Sequence, residues 1–143
     1  MDARTYLDHI HKLKHTMAVL EEQIELLRIQ ATGMKGTAYD KERVQGGNIS
    51  TDDRMLSLIE AEEKYQRTVM EYHEAVLVRT QQIAEMEDPE HAQLLLLRYV
   101  VGSKKMSLEE IAEQMHKSLD RVKHLHLEAL AEFERMYTQK MHE

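Results

Sequence analysis

SLEEIAEQMHKSLDRVKHLHLEAL, residues Ser107 to Leu130, decides the fold of this chain. Leu108, Ile111, Ala112 and Met115 recur at helical spacing and form one apolar stripe. Ser107 followed by Glu110 is a capping box, in which each side chain satisfies a backbone N–H that the first turn leaves unpaired. His116, Lys117 and Ser118 then make a tight turn, with Ser118 as N-cap of a second helix. On that helix Leu119, Val122, Leu125, Ala129, Leu130 and Phe133 share the buried face. Ala112 is small enough to let the two helices cross closely. The pattern predicts helix, turn and helix around one core.

The same phase turns Asp120, Arg121, Lys123, His124 and Leu127 outward. A helix presented this way fits the major groove of DNA. Arg121 and Lys123 carry donors for guanine edges or phosphates, and Asp120 can accept from cytosine. His124 joins them as a base or phosphate contact, and Ser118 stands where the helix enters the groove. Lys117, Lys104 and Lys105 are the candidate anchors on the DNA backbone.

These residues carry a resemblance. Glu110-Ile111-Ala112, Met115, Ser118, Val122 and Ala129-Leu130, preceded by Leu94-Leu95-Leu96-Leu97-Arg98-Tyr99, resemble region 4 of sigma-70-type factors, a promoter-reading helix-turn-helix. The whole chain, including Tyr39-Asp40-Lys41-Glu42-Arg43-Val44-Gln45-Gly46, resembles small phage and prophage proteins of low-GC Gram-positive bacteria. These are related to the ArpU/RinA-like late-gene regulators. The resemblance implies a phage-encoded transcriptional regulator that binds promoter double-stranded DNA and activates late or packaging genes. It also makes RNA polymerase a candidate partner. One departure stands out. The family's turn usually carries Gly where His116 stands, and a positive φ is costly for a non-glycine residue, although His tolerates it better than most.

Composition sets the limits. The chain has 143 residues, no Cys, no Trp, one Pro and 31% charged residues. Without Cys there is no disulfide scaffold and no thiolate zinc site, which suits a reducing cytoplasm. The opening MDARTYLDHIHKLKH has no apolar signal core, and the longest apolar run, Leu94–Leu97, is far too short for a bilayer. A cytoplasmic protein of a bacterial host, with no membrane contact, is expected. Net charge is −7, awkward for a DNA binder. Yet residues 1–88 hold 11 Lys+Arg against 17 Asp+Glu, whereas residues 89–143 hold 8 against 9. The acid is concentrated away from the proposed reading surface, so specific binding is permitted and strong non-specific binding is not.

Two long helical patterns precede the motif. Ala3, Tyr6, Ile10, Leu13, Met17, Leu20, Ile24, Leu27, Ala31 and Met34 alternate spacings of three and four, a coiled-coil seam. The second pattern runs from Thr51 to Glu87, with Met55, Leu58, Tyr65, Val69, Tyr72, Val76, Ile83 and Met86 in one phase. Glu62 and Arg79 take polar seam positions in it. Gly33, Gly36, Gly46 and Gly47 punctuate the stretch between. A long helical hairpin is the economical reading, with Ile10, Leu13, Met17, Leu20, Ile24 and Leu27 expected to join two copies into a homodimer. Asp88-Pro89 restarts the chain as N-cap and first helical residue, and Gly102 stops that helix. The expected protein is all-α. Residues 1–88 form a hairpin for dimerisation or partner binding, and residues 89–143 form the sigma-region-4-like helix-turn-helix domain.

Other chemistries find little support. His11 and His15 lie one helical turn apart, but no carboxylate completes a zinc pattern, so no metal is expected. Gly33-Met34-Lys35-Gly36-Thr37 lacks the phosphate-loop spacing and a preceding strand. Glu60, Glu62 and Glu63 read as solvated acids. No nucleophile–base pair is visible, and neither catalysis nor a cofactor is expected. Two alternatives to the regulator remain. One is a phage assembly protein such as a small terminase subunit; the other is a coiled-coil interaction module that touches no nucleic acid. Tyr39–Gly47 is either a plain connection or, through Lys41 and Arg43, a contact to DNA or polymerase.

Overall fold

The structure is a computed structural model that describes residues 2–32 and 51–141. Met34, the Gly33–Thr37 stretch and the Tyr39–Gly47 stretch lie outside the described residues. Every regular element described is helical: α1 is Ala3–Thr32, α2 Thr51–Ala84, α3 Pro89–Leu95, α4 Leu108–Met115 and α5 Leu119–Met141. No helix among the described residues is long and apolar enough to cross a membrane.

Four of the helices begin where a side chain takes up orphan N–H groups. Asp2 Oδ1 accepts from Thr5 N–H at 2.8 Å at the start of α1. Asp88 Oδ1 accepts from Glu90 N–H at 2.9 Å and His91 N–H at 3.5 Å, with Pro89 beginning α3. Ser107 Oγ accepts from Glu110 N–H at 3.2 Å, and Ser118 Oγ from Arg121 N–H at 3.1 Å. The four caps thus set the entries of α1, α3, α4 and α5.

The leucine-rich helix departs from the expected single element, Pro89 to Val101. At Leu96–Val100 it widens into a π-helical turn, with Val101 N–H reaching back five residues to Leu96 carbonyl at 2.9 Å. The extra residue rotates Tyr99 fully into the core while Arg98 donates to the Met106 carbonyl. Gly102, at φ +85, then ends the segment. Helical geometry in α5 is interrupted at Tyr137 (φ −127, ψ 18), whose hydroxyl donates to the Gln82 carbonyl at 2.7 Å.

Packing divides the chain into two compact units, Met1–Lys14 with Tyr72–Glu143, and His15–Glu71. The boundary expected at residue 88 falls inside the first. That unit's core joins Leu94, Tyr99, Ile111, Val122 and Phe133 to Ala3, Tyr6 and Leu7 of α1 and to Ile83 and Met86. Ile10 and Leu13 pack there with Ala75, Tyr72 and Val76 of α2. In the second unit Ile24 is buried with Leu58 and Ala61, and Leu27 and Tyr65 line the edge.

These contacts place much of the expected oligomerisation face inside one chain. Ile10, Leu13, Leu20 and Ile24 are buried in a single chain, and Met17 and Leu27 are half-buried. Apolar surface already removed from water inside one chain offers nothing to a second copy. Of the stripe expected along α2, Leu58, Ile83 and Met86 are buried and Tyr65, Val69, Tyr72 and Val76 are half-buried. Ala61, Thr68, Ala75 and Gln82 are buried, whereas Met55 and Glu62 face solvent. Small residues allow close helix approach, and the Thr68 hydroxyl donates to the Lys64 carbonyl within its own helix at 2.8 Å.

The turn after α4 is left-handed at His116 (φ 56, ψ 45), and Lys117 N–H closes it on the Ala112 carbonyl at 2.9 Å. His116→Gly relieves the side-chain clash at the cost of some unfolded-state entropy, so it should stabilise by about 0.5–1 kcal/mol. His116→Val, β-branched, should destabilise by about 1–2 kcal/mol. Chemical denaturation of the two variants checks the opposite signs.

Candidate nucleic-acid interface

The first turns of α5 present a solvent face whose back is wholly packed. Val122, Leu125, Ala129 and Phe133 are buried, and Asp120, Arg121, Lys123, His124 and Leu127 are exposed. α4 lies across the turn with Ile111 and Ala112 buried and Leu108 and Met115 packed against the same core. The exposed residues therefore stand on a helix whose rotation is fixed from behind.

The polar groups at this face differ in their availability. Lys123 and Lys104 are exposed, and neither has an ion-pair partner among the described residues. Arg121 is half-exposed, with one guanidinium nitrogen 3.8 Å from Glu128 Oε1, one edge of the α5 face. Lys117 sits on Glu90 Oε2 at 2.6 Å, which ties the turn to the start of α3. His124 Nδ1 lies 2.8 Å from the Asp120 carbonyl, which can only accept, so the proton is on Nδ1. In the neutral ring, Nε2 is then a bare acceptor facing solvent. Ser118 Oγ is engaged as the helix cap. Lys105 is directed elsewhere, onto Asp8 of α1 at 2.8 Å and over the Tyr99 ring at 5.3 Å. Lys14 holds the same loop from α1 by donating to the Gly102 carbonyl. Acid is also present on α4, where Glu109, Glu110 and Glu113 are exposed.

Two buried polar pairs brace the interface from inside, and sequence spacing gave no sign of the first. His91 Nδ1 meets Glu132 Oε1 at 2.6 Å, while the other oxygen of Glu132 accepts from Glu87 N–H at 2.9 Å. His91 Nε2 is 3.5 Å from Asp88 Oδ2 and 3.6 Å from Glu128 Oε2. The network fastens the entry of α3 to α5, joining residues 41 positions apart. In the second pair the Tyr99 hydroxyl and His126 Nε2 share a hydrogen bond of 2.7 Å, with the rings stacked at 5.8 Å. His126 is buried in the core.

Among the described residues, no group of His, Asp and Glu side chains could hold a metal ion. The geometry is that of a helix-turn-helix, α4 crossing α5, with a third helix behind. Residues 88–132 match the family described as Sigma-70, region 4. Domains of that family bind DNA. The matched segment begins at the Asp88 cap and takes in α3, the π-helical turn, α4 and the first turns of α5 as far as Glu132. No curated protein and no solved structure matches the chain.

Burial pushes the His126 ring down from 6.5 to about 4; Arg98, Arg4 and Lys105 add to the shift and Asp8 opposes it. The unfolded chain therefore binds the proton more tightly. The stability from keeping this ring neutral is complete above pH 6.5 and is lost as pH falls towards 4, by about 3 kcal/mol in all. Urea unfolding between pH 7 and pH 4 should show that loss in the wild type over and above His126→Gln. Parallel pH profiles for the two proteins would contradict it.

Proposed function

We propose that this chain is a DNA-binding transcriptional regulator of phage or prophage origin. It uses α5 as the reading helix on promoter DNA and activates late or packaging genes. One observation carries the proposal. The exposed start of α5 offers Arg121, Lys123, His124 and Asp120 together, on a helix locked from behind by Val122, Leu125 and Phe133. Arg121 and Lys123 supply donors for guanine or phosphate, Asp120 accepts from cytosine, and His124 Nε2 accepts from an exocyclic amine. Lys104 contacts the phosphate backbone, as does Lys117 once it exchanges Glu90 for phosphate. Lys105, held by Asp8, serves mainly to fix the loop before α4. Ser118 sets the angle of entry by capping α5.

A dimer, with RNA polymerase as a further partner, suits the charge. One such face neutralises about three phosphates, a log–log salt slope near −2.7, and two faces double it. A chain of net charge −7 needs that second face to bind one site tightly.

Binding is tested by selecting phage-genome fragments with purified protein and measuring affinity by fluorescence anisotropy. Arg121→Ala with Lys123→Ala should weaken the selected site by at least about thirtyfold, from one to two lost base contacts. Lys104→Ala should weaken all fragments alike and reduce the salt slope by about one. Equal enrichment by the wild type and the double variant would reject α5 as the reading helix.

A further inference from the structure

We infer that the dimer forms through the solvent face of α2, by antiparallel pairing of two copies about Glu63 and Gln66. This rests on the dimeric reading above but assigns it a different surface from the seam the sequence suggested. That seam is occupied within each chain by Ile10, Leu13 and Ile24. On the opposite side of α2, Leu56, Ile59, Glu63, Gln66 and Met70 again alternate spacings of three and four. Its apolar members are conspicuously uncovered: Leu56 is 54% exposed, Ile59 48% and Met70 72%. An open hollow of about 420 Å³ lies on this stripe, lined among the described residues by Ile59, Glu62, Glu63, Gln66 and Arg67. The outer side of α1 offers no rival, since Val19 and Leu26 are a heptad apart with charged Glu22 and Glu25 between them.

Charge selects both the occupant and its direction. In a parallel pair, Glu63 would face the partner copy's Glu63 across the seam, two like charges in contact. Antiparallel pairing about a two-fold axis between Glu63 and Gln66 places Glu63 against the partner copy's Gln66. The same register sets Ile59 against the partner copy's Met70, a side chain suited to the hollow. It also sets flanking Glu60 beside the partner copy's Arg67, and by symmetry Arg67 beside the partner copy's Glu60. Glu60 and Arg67 are both exposed, two turns apart on one helix, and so free to meet across copies. A second copy of this chain is therefore complementary to the face in shape and charge.

Sedimentation equilibrium of the full chain, with circular dichroism to verify folding, tests the assignment. Met70→Lys with Ile59→Lys should abolish the dimer and leave helicity intact. Glu60→Arg alone and Arg67→Glu alone each replace two attractive pairs with two repulsive ones, weakening dimerisation about tenfold. The double exchange Glu60→Arg with Arg67→Glu should restore it to within about threefold of wild type, which a folding defect would not do. A parallel pair would not be rescued by that exchange, and failure of rescue overturns the register. Dimers that survive the double lysine variant would overturn this surface and leave the dimeric reading standing. A wild type that is monomeric at all concentrations would overturn both, with DNA binding by α5 judged separately by anisotropy.

Discussion

A helix can read a groove only if the face behind it is held, and most of the first unit serves that constraint. α5 turns Val122, Leu125, Ala129 and Phe133 inward, each fully buried or nearly so. α4 has eight residues and covers only part of that face. Leu94, Leu95 and Tyr99 cover another part, and Ala3, Tyr6 and Leu7 of α1 with Ile83 and Met86 complete the enclosure. Phe133 marks the meeting point, with the Tyr6 ring 5.9 Å and the Tyr137 ring 4.8 Å away, centre to centre. Each such large apolar side chain contributes about 1.5–3 kcal/mol by leaving water. The start of the chain is thus a structural wall of the helix-turn-helix unit.

Several polar groups inside that wall are paired with one another, whereas Thr80 Oγ1 and Arg98 Nε are buried without a hydrogen bond. Tyr6 donates to Gln82 Oε1 at 2.8 Å, and Arg79 both donates to the Tyr6 carbonyl at 2.9 Å and lies 3.9 Å over its ring. Such directional bonds fix register where apolar contact alone would allow sliding. Lys14 on the Gly102 carbonyl and Lys105 on Asp8 do the same for the loop entering α4. The first residues of α1 thereby hold the end of α2, the loop entering α4 and, through Phe133, α5.

The surface charge makes recognition restrained. Glu90 and Glu128 sit beside Lys117 and Arg121, and Glu109, Glu110 and Glu113 of α4 are exposed. In the proposed reading, phosphate must displace carboxylate to engage those cations, which lowers affinity for arbitrary DNA. On that same proposal, site discrimination depends on base-edge contacts of the α5 face, and affinity on how many faces act together.

Local chemistry was legible in the sequence because it acts over a few residues. The caps at Asp88, Ser107 and Ser118, the left-handed His116, the stop at Gly102 and the buried stripe of α5 all follow from side-chain type and helical spacing. So does the outward set Asp120, Arg121, Lys123 and His124, since a core phase once fixed leaves only one face free. Tertiary structure decided what spacing cannot express. On α2 the inner face adds Ala61, Thr68 and Ala75 to the expected Leu58 and Ile83 and leaves Met55 exposed, because small side chains let helices approach closely. The same packing assigned residues 1–14 to the helix-turn-helix unit and spent the α1 seam inside the chain. It also paired Lys105 with Asp8 and His91 with Glu132. The sequence by itself determined the helix-turn-helix and its solvent face; only three-dimensional packing decided what stands behind that face, because burial depends on neighbours distant along the chain.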